Sequence, residues 1–313
     1  MNWDSYSDVL FEDSQLTEEW ISKCAAYLEQ VFGRELSNEI VLDYGFGRGN
    51  WSLAFAQLKA KQIFAVDISF TNIKRFTSFL SNKKVFDQIT CLESDYQGMS
   101  PHIEKHSLIW IYGVLQHLKD PGNLFKNLSR VSDKPVSGLV YAYEKGSIRY
   151  EIIEAFRQFL VNPLIPTILR ENKSRFVNQR AYKRCVDDYC APTVKFFDEL
   201  EVRNLIEYAF PSSVIERVPS FMNFLGDDLH EVDFSAIHLR FTQTRMISEQ
   251  MFMPSTNLYV NPNLYEDFRS RVRYHVNQNE SWKLDLLIDF HNSYYSCTSV
   301  KELFNLLETY KFH

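Results

Sequence analysis

Short apolar runs alternate along the chain with segments whose hydrophobic residues recur every three or four positions. The runs predict buried strands, and the periodic segments predict amphipathic helices. Strands are predicted to begin at Ile40, Gln62, Gln88, Ser107 and Val136. Helices are predicted over residues 18–32, 51–60, 71–80 and 123–131. This alternation implies an α/β fold with a parallel sheet and right-handed crossovers.

The pattern changes after about residue 145, where helical spacing dominates. Helices are predicted over 147–161, about 176–186 and 194–210, with a loop over 187–193. Sixth and seventh strands are predicted over 212–218 and 236–242. Helical spacing returns in three parts of the tail, at 264–268, 282–290 and 300–310. These segments predict helices added to a seven-stranded sheet.

The first strand runs into three glycines at alternate positions, Gly45, Gly47 and Gly49, and a predicted helix follows. Glycine allows a positive φ and a close approach of backbone to a ligand. Asp67 ends the second strand 18 residues after Gly49, close to the spacing at which an acid reaches a bound ribose. The turn therefore predicts a nucleoside ligand.

The dinucleotide fingerprint is G-x-G-x-x-G, whereas this turn reads G-x-G-x-G and has Asp43 two residues before it. A carboxylate there would repel a pyrophosphate, but it suits a ligand with an ammonium group and a sulfonium. A dinucleotide site and a tight turn without a ligand remain the alternatives.

With these features the chain resembles the class I S-adenosylmethionine-dependent methyltransferases. The resemblance continues at the third strand, in the run Val114-Leu115-Gln116-His117-Leu118-Lys119-Asp120-Pro121, and in the helix after it. The chain departs from the family before the fifth strand, where Asp133 to Gly138 stand in place of two adjacent glycines. Specific motifs cover about residues 37 to 145, and a looser likeness extends to about 245.

The resemblance implies a Rossmann-like, doubly wound, mostly parallel seven-stranded sheet with a helical cap insert and a C-terminal helical appendage. It also implies S-adenosyl-L-methionine as the cofactor and S-adenosyl-L-homocysteine as the product. In the family the glycine turn meets the methionine portion, the acid after the second strand holds the ribose, and an acid after the third binds adenine. The cofactor-binding residues expected here are Asp43, Gly45, Gly47, Gly49, Asp67, Ile68, Asp95, Tyr96 and Tyr112.

Five segments are expected from the pattern and the resemblance together. These are an N-terminal helical segment (1–36), a cofactor-binding core (37–146), a helical insert or substrate cap (147–210), the last strands of the core (211–245) and a C-terminal helical extension (246–313). The extension contains no recognisable chemical motif, and it is expected to shape the substrate mouth or a dimer contact.

His117 is the candidate general base, because it follows the fourth strand and an unperturbed imidazole titrates near neutral pH. A structural histidine that bonds the backbone around the cofactor is the competing interpretation. Tyr150, Tyr182 and Tyr189 are the candidate substrate contacts in the insert. Cys185 and Cys190 are too few ligands for a zinc site, so no metal is expected.

Composition and net charge limit the classes of protein to which this chain can belong. Apolar residues make up 45% of the 313 residues and charged residues 24%, which suits a globular core. No apolar run approaches the ~20 residues of a membrane span, and residues 1–10 lack the basic start of a signal peptide, so a cytoplasmic protein is expected. The net charge of −6 argues against nonspecific binding of nucleic acid. Residues 173–184 still hold a basic cluster that suits either a solvated helix face or an acidic small molecule.

The expected function is methyl transfer to an oxygen or nitrogen of a small molecule, such as a sugar or a biosynthetic intermediate. A protein or RNA methyltransferase is the second hypothesis; Tyr112-Gly113-Val114-Leu115 differs from the Asp/Asn-Pro-Pro-Tyr signature of base and amide methylation. A non-catalytic scaffold that keeps the cofactor fold is the third. A homodimer is left open.

Overall fold

The structure is a computed structural model that describes residues 3–11, 16–33, 35–81, 86–95, 106–157, 165–226, 236–243, 262–278 and 283–310. The strands in this part of the chain are β1 (Ile40–Tyr44), β2 (Gln62–Asp67), β3 (Ile89–Glu93), β4 (His106–Ile111), β5 (Ser132–Tyr143), β6 (Ser213–Arg217) and β7 (Ala236–Gln243). Its helices are α1 (Trp3–Phe11), α2 (Glu18–Phe32), α3 (Asn50–Gln57), α4 (Phe70–Ser81), α5 (Pro121–Val131), α6 (Ile148–Arg157), α7 (Ile165–Glu171), α8 (Gln179–Cys190), α9 (Glu199–Ala209), α10 (Phe221–Phe224), α11 (Pro262–Gln278), α12 (Lys283–Tyr294) and α13 (Val300–Thr309).

The seven strands form one sheet in the order β3-β2-β1-β4-β5-β7-β6. Strands β1 to β5 are parallel to one another. Strand β7 lies between β5 and β6 and is antiparallel to both. The strand order reverses between β1 and β4, which is where open α/β sheets bind their ligands. Asp43 lies near the end of β1 and Asp67 ends the adjacent β2. The seven-stranded, mostly parallel Rossmann-like fold predicted from the sequence is confirmed.

Both faces of the sheet are buried. One face carries Val41, Ile63 and Trp110 and is covered by α2 and α3, whereas the other carries Leu42 and Ile109. Because parallel strands are buried on both faces, their sequences read as continuous apolar runs instead of alternating ones.

The strand and helix predictions for the core agree with the structure, and α2 has the predicted bounds. The prediction of a loop over 187–193 is wrong, since α8 continues to Cys190. Asp187 and Asp188 suggested a loop because they are polar, but both carboxylates form ion pairs with Arg149 inside the helical part. The next helix begins at Glu199 and not at residue 194, because Asp198 and Glu201 form a capping box there.

A second apolar core joins helices that are far apart in sequence. It contains buried residues from α1, from α6 to α8, and from the C-terminal helices α11, α12 and α13: Tyr6, Phe156, Tyr182, Tyr189, Phe268, Phe290 and Leu307 are examples. The helices that precede α9 and the helices of the tail therefore bury their apolar faces against one another. None of the described helices combines the length and the apolar character needed to cross a bilayer.

Buried ion pairs and hydrogen bonds connect the helices of this second core. The Asp188 side chain is 2% exposed and accepts hydrogen bonds from Arg149 Nε at 3.0 Å and from Arg184 Nε at 2.8 Å. Arg157 donates to the main-chain oxygens of Asp188 and Ala191, both at 2.7 Å. Charges held this deeply are retained only when they are paired and hydrogen-bonded.

We expect Asp188→Asn to lower the free energy of unfolding by about 3–5 kcal/mol, because the change removes one partner of a buried ion pair. Asp285→Asn is the matched control. Its carboxylate, in a side chain that is 52% exposed, meets Arg175 at 2.6 Å, so the cost should be about 0–1 kcal/mol. Urea unfolding of both variants measures the difference. Equal losses would show that the buried pairing contributes little.

Candidate active site

The glycine turn after β1 is a left-handed stretch of backbone. Gly45, Gly47 and Gly49 have φ values of 74°, 56° and 88°. Val114 packs directly on Gly45 and the Phe76 ring packs on Gly49, so neither position has room for a side chain. Gly47 is more open: the nearest described atom to a methyl group built there is Phe11 Cζ, at 3.5 Å.

Hydrogen bonds hold Asp67 against this turn. Its Oδ2 atom accepts from the Gly47 N–H at 2.9 Å and from Asn72 Nδ2 at 3.3 Å, and its Oδ1 atom accepts from the Ser69 N–H at 2.8 Å. Asp67 is only 8% exposed, and burial raises its pKa to about 6. The carboxylate is thus fixed beside the backbone of the glycine turn.

Asp43 is the second buried acid of the site. It is 1% exposed and accepts a hydrogen bond from Ser52 Oγ at 2.6 Å. Burial raises its pKa to about 7, although the Ser52 hydrogen bond opposes the shift, and the charge of Asp67 raises it further.

Neither carboxylate forms an ion pair with a cation in the part of the chain that the structure describes. Two buried acids without a countercharge fit a ligand that carries positive charge. The ammonium and sulfonium of S-adenosylmethionine meet this requirement, and a pyrophosphate does not. The two buried carboxylates therefore fit the cofactor that the sequence predicted.

Helix α1 covers the glycine turn, a position that was not predicted for the N-terminal segment. Asp4 Oδ1 accepts from Ser69 Oγ at 2.8 Å and from the Thr71 N–H at 3.0 Å, which anchors α1 to the start of α4. Phe11, at the other end of α1, lies over Gly47 and under the Arg48 guanidinium. The sequence pattern that indicates this helix is a short stripe of apolar residues at helical spacing: Trp3, Tyr6, Val9 and Leu10.

Ile68 and Asp95, two further predicted cofactor residues, lie at the same edge of the sheet. Ile68 follows Asp67 and is 47% exposed, which is unusual for a large apolar side chain. Asp95 is half-buried after β3, where the Ser94 N–H donates to the Asp67 carbonyl at 3.0 Å. Tyr96 lies outside the described residues. Their roles toward the cofactor stay predictions.

Tyr112 belongs to a group of stacked rings at the end of β4. Its ring lies 4.7 Å from that of Tyr141 and 5.5 Å from that of Trp110, with interplanar angles of 18° and 5°. Trp51 lies 4.8 Å away. These contacts fix the ring in one place.

His117 sits in an aromatic enclosure on the other side of the same loop. Its ring is 5.5 Å from that of Trp3, 6.3 Å from Tyr6 and 6.0 Å from Tyr143. Nδ1 lies 2.7 Å from the Thr193 carbonyl and must donate to it, which leaves Nε2 as the acceptor. Burial lowers the pKa of His117, although Asp187 and the Thr193 carbonyl oppose the shift. The imidazole is therefore neutral near pH 7.

Asp187 completes this enclosure, and no motif in the sequence predicts its role. Its carboxylate accepts from the Tyr6 hydroxyl at 2.6 Å, from the Tyr143 hydroxyl at 2.8 Å and from Arg149 Nη2 at 2.6 Å. Although burial opposes it, the Arg149 guanidinium holds the pKa of Asp187 below its usual range. Asp187 thus stays ionised and connects α1, β5 and α6 around His117.

The three candidate substrate tyrosines lie on helices of the insert, and their roles toward a substrate stay predictions. Tyr182 and Tyr189 are buried in the second apolar core, with exposures of 1% and 4%. Tyr150 lies on α6 with its ring 4.9 Å from that of Phe196. Cys185 and Cys190 are free thiols buried in the same helix as Tyr182.

Residues 41–134 match a family model described as a methyltransferase domain. The match begins in β1, spans the glycine turn, Asp67 and His117, and ends in β5. No curated protein matches the chain by sequence.

Solved structures with a similar arrangement have low sequence identity. The magnesium protoporphyrin IX methyltransferase of Synechocystis PCC 6803, with bound S-adenosylhomocysteine, is 14% identical over 75% of this chain and 91% of its own, with a TM-score of 0.46. The 1,6-didemethyltoxoflavin-N1-methyltransferase of Burkholderia thailandensis is 15% identical over 76% of this chain and 82% of its own, with a TM-score of 0.45. A plantazolicin methyltransferase is 13% identical over 77% of this chain and 95% of its own, with a TM-score of 0.44.

The family match covers the turn, the acids and the strands that the sequence assigned to the cofactor. Residues 41–134 therefore carry the sequence pattern of a methyltransferase domain.

Proposed function

We propose that this enzyme transfers a methyl group from S-adenosylmethionine to an oxygen or nitrogen atom of a small molecule. The observation that carries this proposal is the enclosed position of His117, with Trp3, Tyr6 and Tyr143 around its ring. An enclosure built by α1, β5 and α8 suits a compact acceptor better than a polymer. A sugar or a biosynthetic intermediate is the class of acceptor we favour.

His117 is the proposed general base. The Thr193 carbonyl fixes the tautomer, and Nε2 has no hydrogen-bond partner among the described residues. A neutral imidazole can take the proton that an attacking hydroxyl or ammonium group must lose, a contribution of about 10²–10⁴ in rate. Asp187 would hold the surrounding tyrosines and stabilise the imidazolium by its charge.

The cofactor would be held by the backbone of Gly45 to Gly49 and by the acids around it. Asp67 would accept hydrogen bonds from the ribose hydroxyls, and the Gly47 and Ser69 amides already orient its oxygens. Asp43 supplies negative charge beneath the turn. When bound, S-adenosylmethionine supplies an activated methyl group, and the protein aligns the acceptor with it.

We propose that the insert acts as the substrate cap. The proposal rests on α8, which contributes Asp187 to the enclosure of His117 and also packs in the second apolar core.

The segment boundaries predicted from the sequence, the cytoplasmic location and a homodimer stay predictions. In this proposal the three tyrosines of the insert serve as packing residues within the cap: Tyr150, Tyr182 and Tyr189.

The first test measures methyl transfer from S-adenosylmethionine with a labelled methyl group to a cell extract separated into small molecules, RNA and protein. We expect label in the small-molecule fraction, and less of it with His117→Gln. Label in RNA or protein would contradict the proposed acceptor class. Binding of the cofactor with no transfer to any fraction would favour the non-catalytic scaffold.

We expect Asp67→Asn to weaken binding of S-adenosylmethionine roughly tenfold to more than a hundredfold, the effect of losing a charged hydrogen bond. Glu93→Gln is the control, because Glu93 pairs with Asp67 in the register of β2 and β3 but is exposed to solvent. Isothermal calorimetry with the cofactor, its homocysteine product and NAD measures the affinities. Unchanged binding by Asp67→Asn would remove Asp67 from the ribose site.

The affinity for S-adenosylmethionine should rise with pH between about pH 5 and 8. Burial raises the pKa of Asp43 to about 7 and that of Asp67 to about 6, and a cationic ligand binds the ionised forms better. Below these values, affinity should fall by up to about tenfold per pH unit for each proton that must be released.

Asp43→Asn tests this pH dependence, because the amide oxygen can still accept the Ser52 hydrogen bond but carries no titrating group. We expect weaker binding with a shallower pH dependence, measured by calorimetry across the same range. The same steepness in the variant and the wild type would show that another group titrates.

A further inference from the structure

A cavity of about 360 Å³ lies at the edge of the sheet, where the edge strand β6 and the segment after it meet the end of α2. Its volume falls within the range of about 300–1,000 Å³ that is usual for small-molecule sites. Most of the side chains around it are exposed or half-buried, so a ligand can enter it from solvent. Val31, Val218 and Pro219 form an apolar part of its wall. None of the described residues that line it belongs to the glycine turn or to the enclosure of His117.

Three arginine side chains form the cationic part of the wall, and buried carboxylates hold two of them. Arg217 meets Glu199 at 2.7 Å and Glu144 at 2.8 Å, and Arg203 meets the other oxygen of Glu199 at 2.7 Å. The side chains of Glu144 and Glu199 are 6% and 16% exposed, and neither is among the described residues that line the cavity. These carboxylates therefore fix two guanidinium groups in the wall from behind it.

The third arginine, Arg240, has a more exposed partner. It lies opposite Glu216 in the register of β6 and β7, and an ion pair joins the two side chains, which are 31% and 46% exposed. Both line the cavity. Arg240 Nη1 donates to the Val31 carbonyl at 2.5 Å, which holds the guanidinium group beside the apolar wall. Because solvent screens a pair this exposed, Glu216 can turn away from Arg240 at little cost.

We propose that this cavity binds an amphipathic carboxylate, that is, a carboxylate group attached to an apolar body. The carboxylate of the ligand would take the place of Glu216 and accept charge-assisted hydrogen bonds from Arg240. The apolar body would lose its contact with water against Val31, Val218 and Pro219. This inference goes beyond the proposed methyl transfer and does not rest on it.

The charges of the wall suit a ligand with a single negative charge. Once Glu216 has turned away, three guanidinium groups remain with the two carboxylates behind the wall. The one excess positive charge matches a carboxylate, whereas a doubly charged phosphate would exceed it.

The test is titration of 4-phenylbutyrate into the full chain, with the uncharged 4-phenylbutyramide as its matched counterpart. Ligand-detected NMR measures the dissociation constants for the wild type, Glu216→Gln, Arg240→Met and Arg175→Met. Arg175 is the control, because its partly exposed ion pair with Asp285 lies outside the cavity lining. Thermal unfolding checks that each variant is folded, and S-adenosylhomocysteine is added as a competitor.

We expect the wild type to bind 4-phenylbutyrate at least about tenfold more tightly than the amide, and Arg240→Met to weaken binding of the carboxylate at least about tenfold. Glu216→Gln should tighten binding of the carboxylate by about twofold to fivefold, because it removes the competing carboxylate and keeps Arg240. Arg175→Met should leave the affinity unchanged. The gain expected for Glu216→Gln cannot arise from a loss of structure, so it tests the proposal even if Arg240→Met unfolds.

Failure of the wild type to bind 4-phenylbutyrate, or equal binding of the amide, would overturn the assigned class of ligand. Unchanged or weaker binding by Glu216→Gln would overturn the position of the carboxylate at Arg240. Equal losses in Arg175→Met and Arg240→Met would reveal a general effect of charge and no site in this cavity. Displacement by S-adenosylhomocysteine would locate the ligand in the cofactor site and would also overturn the proposal.

Discussion

The hydrogen bond from the Gly47 amide to the Asp67 carboxylate connects the two halves of the cofactor site. It joins the turn after β1 to the end of β2, at a length of 2.9 Å. The turn can present this amide only because Gly45, Gly47 and Gly49 adopt positive φ values. Burial of Asp67 and Asp43 without a nearby cation then leaves a concentration of negative charge that a cationic ligand can neutralise. The rest of the sheet holds these strand ends in register.

The loop after β4 lies between two groups of aromatic rings. On one side, His117 lies in a ring of aromatic residues that Asp187 holds by hydrogen bonds to Tyr6 and Tyr143. On the other, the Tyr112 ring stacks on those of Trp110 and Tyr141. The loop also contacts the glycine turn, since Val114 packs on Gly45. The proposed general base is thus held next to the segment assigned to the cofactor.

The helices outside the sheet also position residues around the glycine turn and His117. Helix α1 spans from the start of α4 to the glycine turn, while α8 supplies Asp187 to the enclosure and Asp188 to the buried ion pairs of the helical core. The C-terminal helices complete that core through Phe268, Phe290 and Leu307. The tail therefore supports the position of α8, and through α8 it supports the surroundings of His117.

The sequence by itself determined the sheet, the glycine turn and the acids at the strand ends. These features are local, since apolar runs, glycine spacing and an acid at the end of a strand are readable within a few residues. Only the tertiary structure decided the surroundings of His117, because Tyr6, Tyr143 and Asp187 meet there from separate elements. It also decided that Asp187 and Asp188 lie in a helix, because their burial depends on Arg149, which is 38 and 39 residues away. Contacts over such distances leave no periodic signal in a sequence.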